Sequence, residues 1–141
     1  MKKTIIYFIC LIAFIGCSKS KNDATSATIV GKWHPDKQIV IDYKNGIAVD
    51  TLVTIGGPSE YVQYNSDLTG NEYYTTYSSD FKYSISNSSL IVTLPPYTPP
   101  IQADVFDYYI KQLASNKLEI ILTQAGGNEQ ETIDIQLSRI K

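Results

Sequence analysis

The sequence predicts an all-β protein, an antiparallel up-and-down β-barrel of about eight to ten short strands. Apolar and polar residues alternate in several segments, as in Phe81-Lys82-Tyr83-Ser84-Ile85, which is the pattern of a strand with one buried face. Most connections between segments are of hairpin length, and no connection is long enough for a parallel crossover. β-branched and aromatic residues, including 11 Tyr, dominate the middle of the chain. A meander of this many strands avoids exposed edges by closing into a barrel.

The amino-terminal segment is expected to be a targeting signal and not part of the barrel. Lys2 and Lys3 precede an uncharged apolar run over residues 4–15, which is too short for a confident membrane span. The sequence therefore divides into a signal peptide over residues 1–16, a polar tether over residues 17–27 and a barrel domain over residues 28–141.

The end of the apolar run, Phe14-Ile15-Gly16-Cys17, resembles the lipobox of bacterial lipoproteins. The resemblance implies cleavage before Cys17 and attachment of lipid, with acyl chains such as palmitate, to this residue. Cys10 would leave with the signal peptide, so Cys17 would have no disulfide partner in the mature chain. An ordinary signal peptide or an uncleaved anchor is the alternative. Ser18 stands where Asp would favour retention in the inner membrane, which by analogy with known sorting rules points to the outer membrane, facing the periplasm; exposure at the cell surface is the alternative.

The strand segments then follow in chain order. The first, over residues 28–33, is expected to stop at His34-Pro35, because Pro cannot donate a hydrogen bond to a neighbouring strand. Asn45-Gly46 joins the next two segments and is a strong hairpin signal. The segments after the first cover residues 38–43, 47–55, 60–65, 71–77, 81–86, 90–94, 101–113, 117–124 and 131–140.

Residues 101–113 fit two patterns. Phe106, Tyr109, Ile110 and Leu113 would form a helical face, whereas Phe106, Tyr108 and Ile110 would form one face of a strand. The aromatic content and the short turn that follows favour the strand. The preceding residues 95–100, with four Pro, are expected to form a stiff extended loop.

The two ends of the barrel domain carry the residues that close it. Ile29-Val30-Gly31-Lys32-Trp33 contains the only Trp and is expected to pair with Leu137-Ser138-Arg139-Ile140. Gly31-x-Trp33, the Asp67-x-Thr69-Gly70 turn and the closing strand follow one another in an order that resembles the bacterial lipocalin-like domain lipoproteins, over about residues 28–141. The resemblance implies a barrel with Gly31, Trp33 and Arg139 as its structural signature. It also implies that Arg139 packs over Trp33 as a cation–π contact.

Three Tyr residues are the candidate ligand-binding residues. Tyr64, Tyr83 and Tyr108 fall on faces assigned to the interior, where a large apolar ring with a polar tip suits a binding pocket. The alternative is that they only fill a narrow core. For Trp33 a structural role at the base of the core is favoured over stacking on a ligand.

No catalytic, metal or cofactor site can be assembled from the sequence. His34 is the only His and has no partners at metal-ligand spacing. Residues 65–70 imitate the start of a calcium-binding loop, but Thr76 occupies the position of the required acid, and a hairpin turn explains the pattern. A net charge of -2 gives no basic footprint for nucleic acid. The sequence therefore predicts neither an enzyme nor a nucleic-acid-binding protein.

Two functions remain. The first is a membrane-anchored, lipocalin-like lipoprotein that binds a small apolar or amphipathic ligand in the cell envelope, and it predicts an open barrel mouth with a cavity lined by Tyr and aliphatic residues. The second is a non-enzymatic interaction or scaffold protein with a filled barrel, whose loops dock on a partner. It predicts an exposed apolar or aromatic patch, for example around Tyr97, instead of an interior pocket. The sequence does not predict the oligomeric state.

Overall fold

The computed structural model describes residues 29–96 and 103–141, which form one antiparallel sheet of nine strands. The predicted signal peptide, Cys17 and the tether lie outside the described residues, as do residues 97–102, which include most of the Pro-rich loop. No helix in the described part of the chain is long and apolar enough to cross a membrane. The strands are β1 (Gly31–Lys44), β2 (Ile47–Ile55), β3 (Tyr61–Tyr64), β4 (Thr69–Tyr74), β5 (Tyr77–Ser86), β6 (Ser89–Thr93), β7 (Val105–Leu113), β8 (Lys117–Gly126) and β9 (Glu129–Arg139).

The sheet closes on itself through β1. One edge of β1 pairs with β9, from Trp33 opposite Arg139 to Lys44 opposite Glu129. The other edge pairs first with β3 and then, further along, with β2. Eight strands therefore form a closed ring that does not include β2. The ninth strand, β2, pairs with the same edge of β1 as β3 does, further along β1. This confirms the predicted all-β, up-and-down antiparallel barrel and the pairing of its first and last strands.

The expected break at Pro35 is wrong. β1 runs through it as one strand of 14 residues, with a register shift against β9 between Pro35 and Lys37. A Pro is tolerated at such a bulge because the ladder is already interrupted there. The β2–β3 connection begins at Gly56 and packs directly on the bulge. A Cβ at Gly56 would lie 1.7 Å from the carbonyl oxygen of Pro35. The bulge thus marks the point where β1 exchanges β3 for β2.

The hairpin predicted at Asn45-Gly46 is confirmed, with φ of 54° and 76° at the two residues. Both central residues of a type I′ turn need positive φ, which Asn and Gly tolerate best. The turn after β3 is also confirmed. The backbone N–H of Asn65 donates to the carbonyl of Thr69 at 2.8 Å, and the Asp67 carboxylate accepts from the Thr69 hydroxyl at 2.6 Å.

Of two further segments, one agrees with the sequence prediction and the other differs from it at its end. Residues 101–113 contain a strand, β7 (Val105–Leu113), as favoured. The single strand predicted over residues 71–77 is wrong at its end, because the chain turns at Thr75-Thr76 and Tyr77 already begins β5. The sequence did not indicate this turn, because the stretch is rich in residues that favour strands, namely Tyr73, Tyr74 and Tyr77 with two Thr between them.

One end of the barrel is closed by a packed core. Tyr64, Phe81 and Tyr83 meet edge to face, with the ring centroids of Tyr64 lying 5.4 Å from Phe81 and 5.1 Å from Tyr83. Trp33 is fully buried beside them. The remaining members of this core are Ile29, Val62, Leu90, Val92, Ile110, Leu118, Ile120 and Leu137.

A cavity in the open mouth of the barrel

The other end of the barrel is open and contains a cavity of about 450 Å³. Residues from every strand apart from β3 line it, so the cavity is the lumen of the barrel mouth and not a groove on its outside. Its volume lies within the range of pockets that bury small ligands. The apolar part of the wall is formed by Val92, Leu94, Phe106, Leu122, Ile133 and Ile135.

The three candidate Tyr residues lie at different depths. Tyr108 lines the cavity and is half-buried. Tyr64 and Tyr83 are 3% and 4% exposed and belong to the packed core beneath it, and neither is among the residues that line the cavity. The hydroxyl of Tyr83 donates to the carbonyl of Asn65 at 2.6 Å. The structure therefore places one of the three against the open space and the other two in the closed end.

Glu72 is the unexpected residue of the cavity. Along β4 the inward side chains alternate, so that Glu72 follows the buried Gly70 and precedes Tyr74. The position of Gly70 is fixed by packing, because a Cβ there would lie 2.3 Å from the ring of Phe81. Glu72 is thus the deepest residue of β4 that lines the cavity. Burial raises the pKa of its carboxyl, and a hydrogen bond from the side chain of Tyr77 opposes that rise.

Aromatic rings surround this carboxyl. Tyr74 and Tyr77 stack with centroids 5.0 Å apart, and Phe106 and Tyr108, which line the cavity from β7, have centroids 6.3 Å apart. Burial, together with the nearby charge of Glu72, raises the pKa of Tyr108 to about 12 and raises that of Tyr74 as well. Both hydroxyls are therefore neutral at physiological pH, and the carboxyl group of Glu72 lies among neutral aromatic side chains.

The rim of the cavity is held by Glu60. Its carboxylate accepts hydrogen bonds from the backbone N–H of Gly57 at 2.7 Å, and from the backbone N–H and hydroxyl of Thr75 at 3.1 and 2.9 Å. These bonds lower the pKa of Glu60, the one from Gly57 most. They tie the β2–β3 connection to the β4–β5 turn, so both sides of the mouth are fixed without a ligand.

A larger concavity, of about 700 Å³, adjoins the mouth at Gln124. It is lined by residues at the ends of the β1–β2 and β8–β9 hairpins, which pair with each other through β1 and β9, and we call it the funnel. Its charged lining residues are Asp42, Lys44, Glu129 and Glu131. Three carboxylates against one ammonium make the approach to the mouth acidic. The funnel is more open and more polar than the cavity, which remains the better enclosed site.

The signature residues lie at the closed end. The guanidinium of Arg139 is 4.2 Å from the centroid of the Trp33 ring, as the resemblance implied. Nη1 of Arg139 also donates to the carbonyl of Val30 at 2.7 Å. Gly31 has a φ of 136°, and a Cβ there would lie 2.3 Å from Nη1 of Arg139. Gly31, Trp33 and Arg139 therefore form one packed unit that closes the base, away from the residues that line the cavity.

Sequence reasoning did not identify Glu72. Its neighbours on both sides are polar or aromatic, so the inward face of the segment could not be read from alternation. The available signal was Gly70, whose missing side chain fits a close approach of two strands and would have fixed the inward register. His34, by contrast, lies where it has only a structural contact, with Nδ1 3.1 Å from the carbonyl oxygen of Glu60.

Within residues 29–96 and 103–141, no group of three or more His, Cys, Asp or Glu side chains is arranged to hold a metal ion. No protein-family model matches the chain, and no curated protein sequence matches it. The arguments on function therefore rest on the barrel and its cavity.

Proposed function

We propose that the protein is a membrane-anchored, lipocalin-like lipoprotein that binds a small amphipathic ligand in the mouth of its barrel. The observation that supports binding is the cavity of about 450 Å³, whose wall is both aliphatic and aromatic and whose rim is already fixed by Glu60. A preformed apolar site binds without the cost of ordering its own walls. The sequence features that support the anchor are the apolar leader and the lipobox-like Phe14-Ile15-Gly16-Cys17.

The anchor is tested by the intact mass of the full chain, produced in a bacterium with an outer membrane and measured under denaturing conditions. We expect a chain that begins at Cys17 and carries fatty acyl groups, recovered with the outer membrane. In a Cys17→Ser variant the acyl mass is expected to disappear and the signal peptide to remain. A wild-type chain without acyl mass, or one cut at another residue, would contradict the anchor.

Ligand binding is tested by native mass spectrometry of residues 17–141, with Cys17→Ser, exported through an ordinary signal peptide and purified without detergent. The expected result is a non-covalent extra mass that is lost on denaturation. A bare mass, unchanged after incubation with lipid extract, would argue against a carrier.

A bare mass would instead support the second candidate, a docking protein. One observation favours it: all nine residues of β2 are exposed, and among the described residues this strand pairs only with β1. Its large apolar side chains are Ile47, Val49, Leu52, Val53 and Ile55. The expected patch around Tyr97 lies outside the described residues, so that part of the hypothesis stays a prediction.

A further inference from the structure

We infer that the ligand of the mouth cavity carries a cationic ammonium group, which Glu72 and the surrounding aromatic rings recognise. This rests on the proposed ligand-binding function and narrows its chemistry, since an apolar body alone would not need a carboxyl group in the wall.

The first argument is the position of Glu72. On β4 it lies between the inward-facing Gly70 and Tyr74, and it lines the cavity. A charged residue on the outer face of β4 would have been in contact with water. None of the ion pairs in the described residues includes it; those pairs lie on the outside of the barrel, around Lys111 and Glu119. A carboxylate removed from water without a cationic partner is costly, and burial accordingly raises the pKa of Glu72. A bound cation would supply the missing partner.

The second argument is the aromatic wall. Tyr74, Tyr77 and Tyr108 line the same cavity as Glu72, and the rings of the first two are stacked with centroids 5.0 Å apart. Aromatic faces attract ammonium groups, and the attraction increases when both partners are out of water. Aromatic rings and the Glu72 carboxylate both attract the ammonium head of an alkylammonium ligand. Neither group attracts the carboxylate of a fatty acid.

The third argument is the charge of the entrance. The mouth cavity is lined by Glu60 and Glu72 against Lys37. The funnel adds three carboxylates and one ammonium. Carboxylates outnumber ammonium groups in the lining of both spaces, so the net charge of the entrance attracts a cation and repels an anion.

The experiment compares three amphiphiles with the same alkyl chain: dodecyltrimethylammonium, 1-dodecanol and laurate. Each is titrated calorimetrically, below its micelle concentration, into residues 17–141 with Cys17→Ser. We expect the cation to bind about tenfold more tightly than laurate, with the alcohol between them. The Glu72→Gln variant keeps the size of the side chain and an acceptor for Tyr77. In this variant the ratio of the affinity for the cation to the affinity for the alcohol is expected to fall close to one.

Asp80→Asn is the matched control, because it removes the same charge from the exposed outer face of β5. It is expected to leave the order of the three affinities unchanged. If laurate binds as tightly as the cation, or if Glu72→Gln leaves the preference for the cation intact, the inference is wrong while binding of 1-dodecanol still supports the carrier. If none of the three binds, both the inference and the proposed function fail.

Discussion

Replacing Trp33 by Ala is expected to lower the free energy of unfolding by about 3–5 kcal/mol, the range found when large aromatic side chains are removed from a core. Trp33 is 0% exposed, and its indole N–H donates to the carbonyl of Ile29 at 2.8 Å. The guanidinium of Arg139 rests on its ring and is held there by the carbonyl oxygens of Val30 and Ser115. Because these bonds fix the guanidinium, it cannot collapse into the space that the ring would leave.

The measurement is urea denaturation of residues 17–141 with Cys17→Ser, followed by circular dichroism. Ile91→Ala serves as the control, since Ile91 is on the outer face of β6, is 37% exposed and is expected to cost less than about 1 kcal/mol. A loss for Trp33→Ala no greater than that of the control would show that the Trp33–Arg139 unit does not hold the base of the barrel closed.

Filling the cavity with Ile133→Trp is expected to weaken binding of 1-dodecanol by about tenfold or more, because the added ring would occupy space that the alkyl chain needs. Ile133 is half-buried on β9, lines the cavity and faces Leu122 across the β8–β9 pair. The cavity gives the larger side chain room, so the fold is expected to survive the change. The affinity is measured by calorimetry.

The matched control is Ile91→Trp, which makes the same exchange on the outside of the barrel. It is expected to bind 1-dodecanol as the parent chain does. Urea denaturation of both variants checks that each is folded. Unchanged affinity in a folded Ile133→Trp variant would place the alkyl chain elsewhere on the protein.

Much of the fold could be predicted because it follows from local rules. Alternation fixed the inward faces of β5 and β8, the turn at Asn45-Gly46 needs positive φ, and Trp33 and Arg139 stand near the two ends that meet. Local rules did not predict the length of β1, which pairs with three other strands. β1 continues through Pro35 because β9 supports it on one edge while β3 gives way to β2 on the other, and this exchange is visible only in the closed barrel.

The candidate site was harder to predict than the fold, because the depth of a residue in a barrel depends on the stagger of its strands. Tyr64, Tyr83 and Tyr108 all point inward, yet two lie in the closed end and one at the open end. Inward orientation follows from a period of two, whereas distance from the mouth depends on where each strand begins relative to its neighbours. Glu72 was hidden for the same reason: only the pairing of Gly70 with Phe81 sets its register.

The central claim is that the ligand occupies the lumen of the barrel mouth, and methyl NMR tests it most directly. Residues 17–141 with Cys17→Ser, carrying labelled Ile, Leu and Val methyl groups, are saturated with 1-dodecanol. We predict intermolecular nuclear Overhauser effects to the methyl groups of Leu122, Ile133 and Ile135, which line the cavity. Effects confined to Val53 and Ile91 on exposed surfaces, or none at all, would contradict the claim.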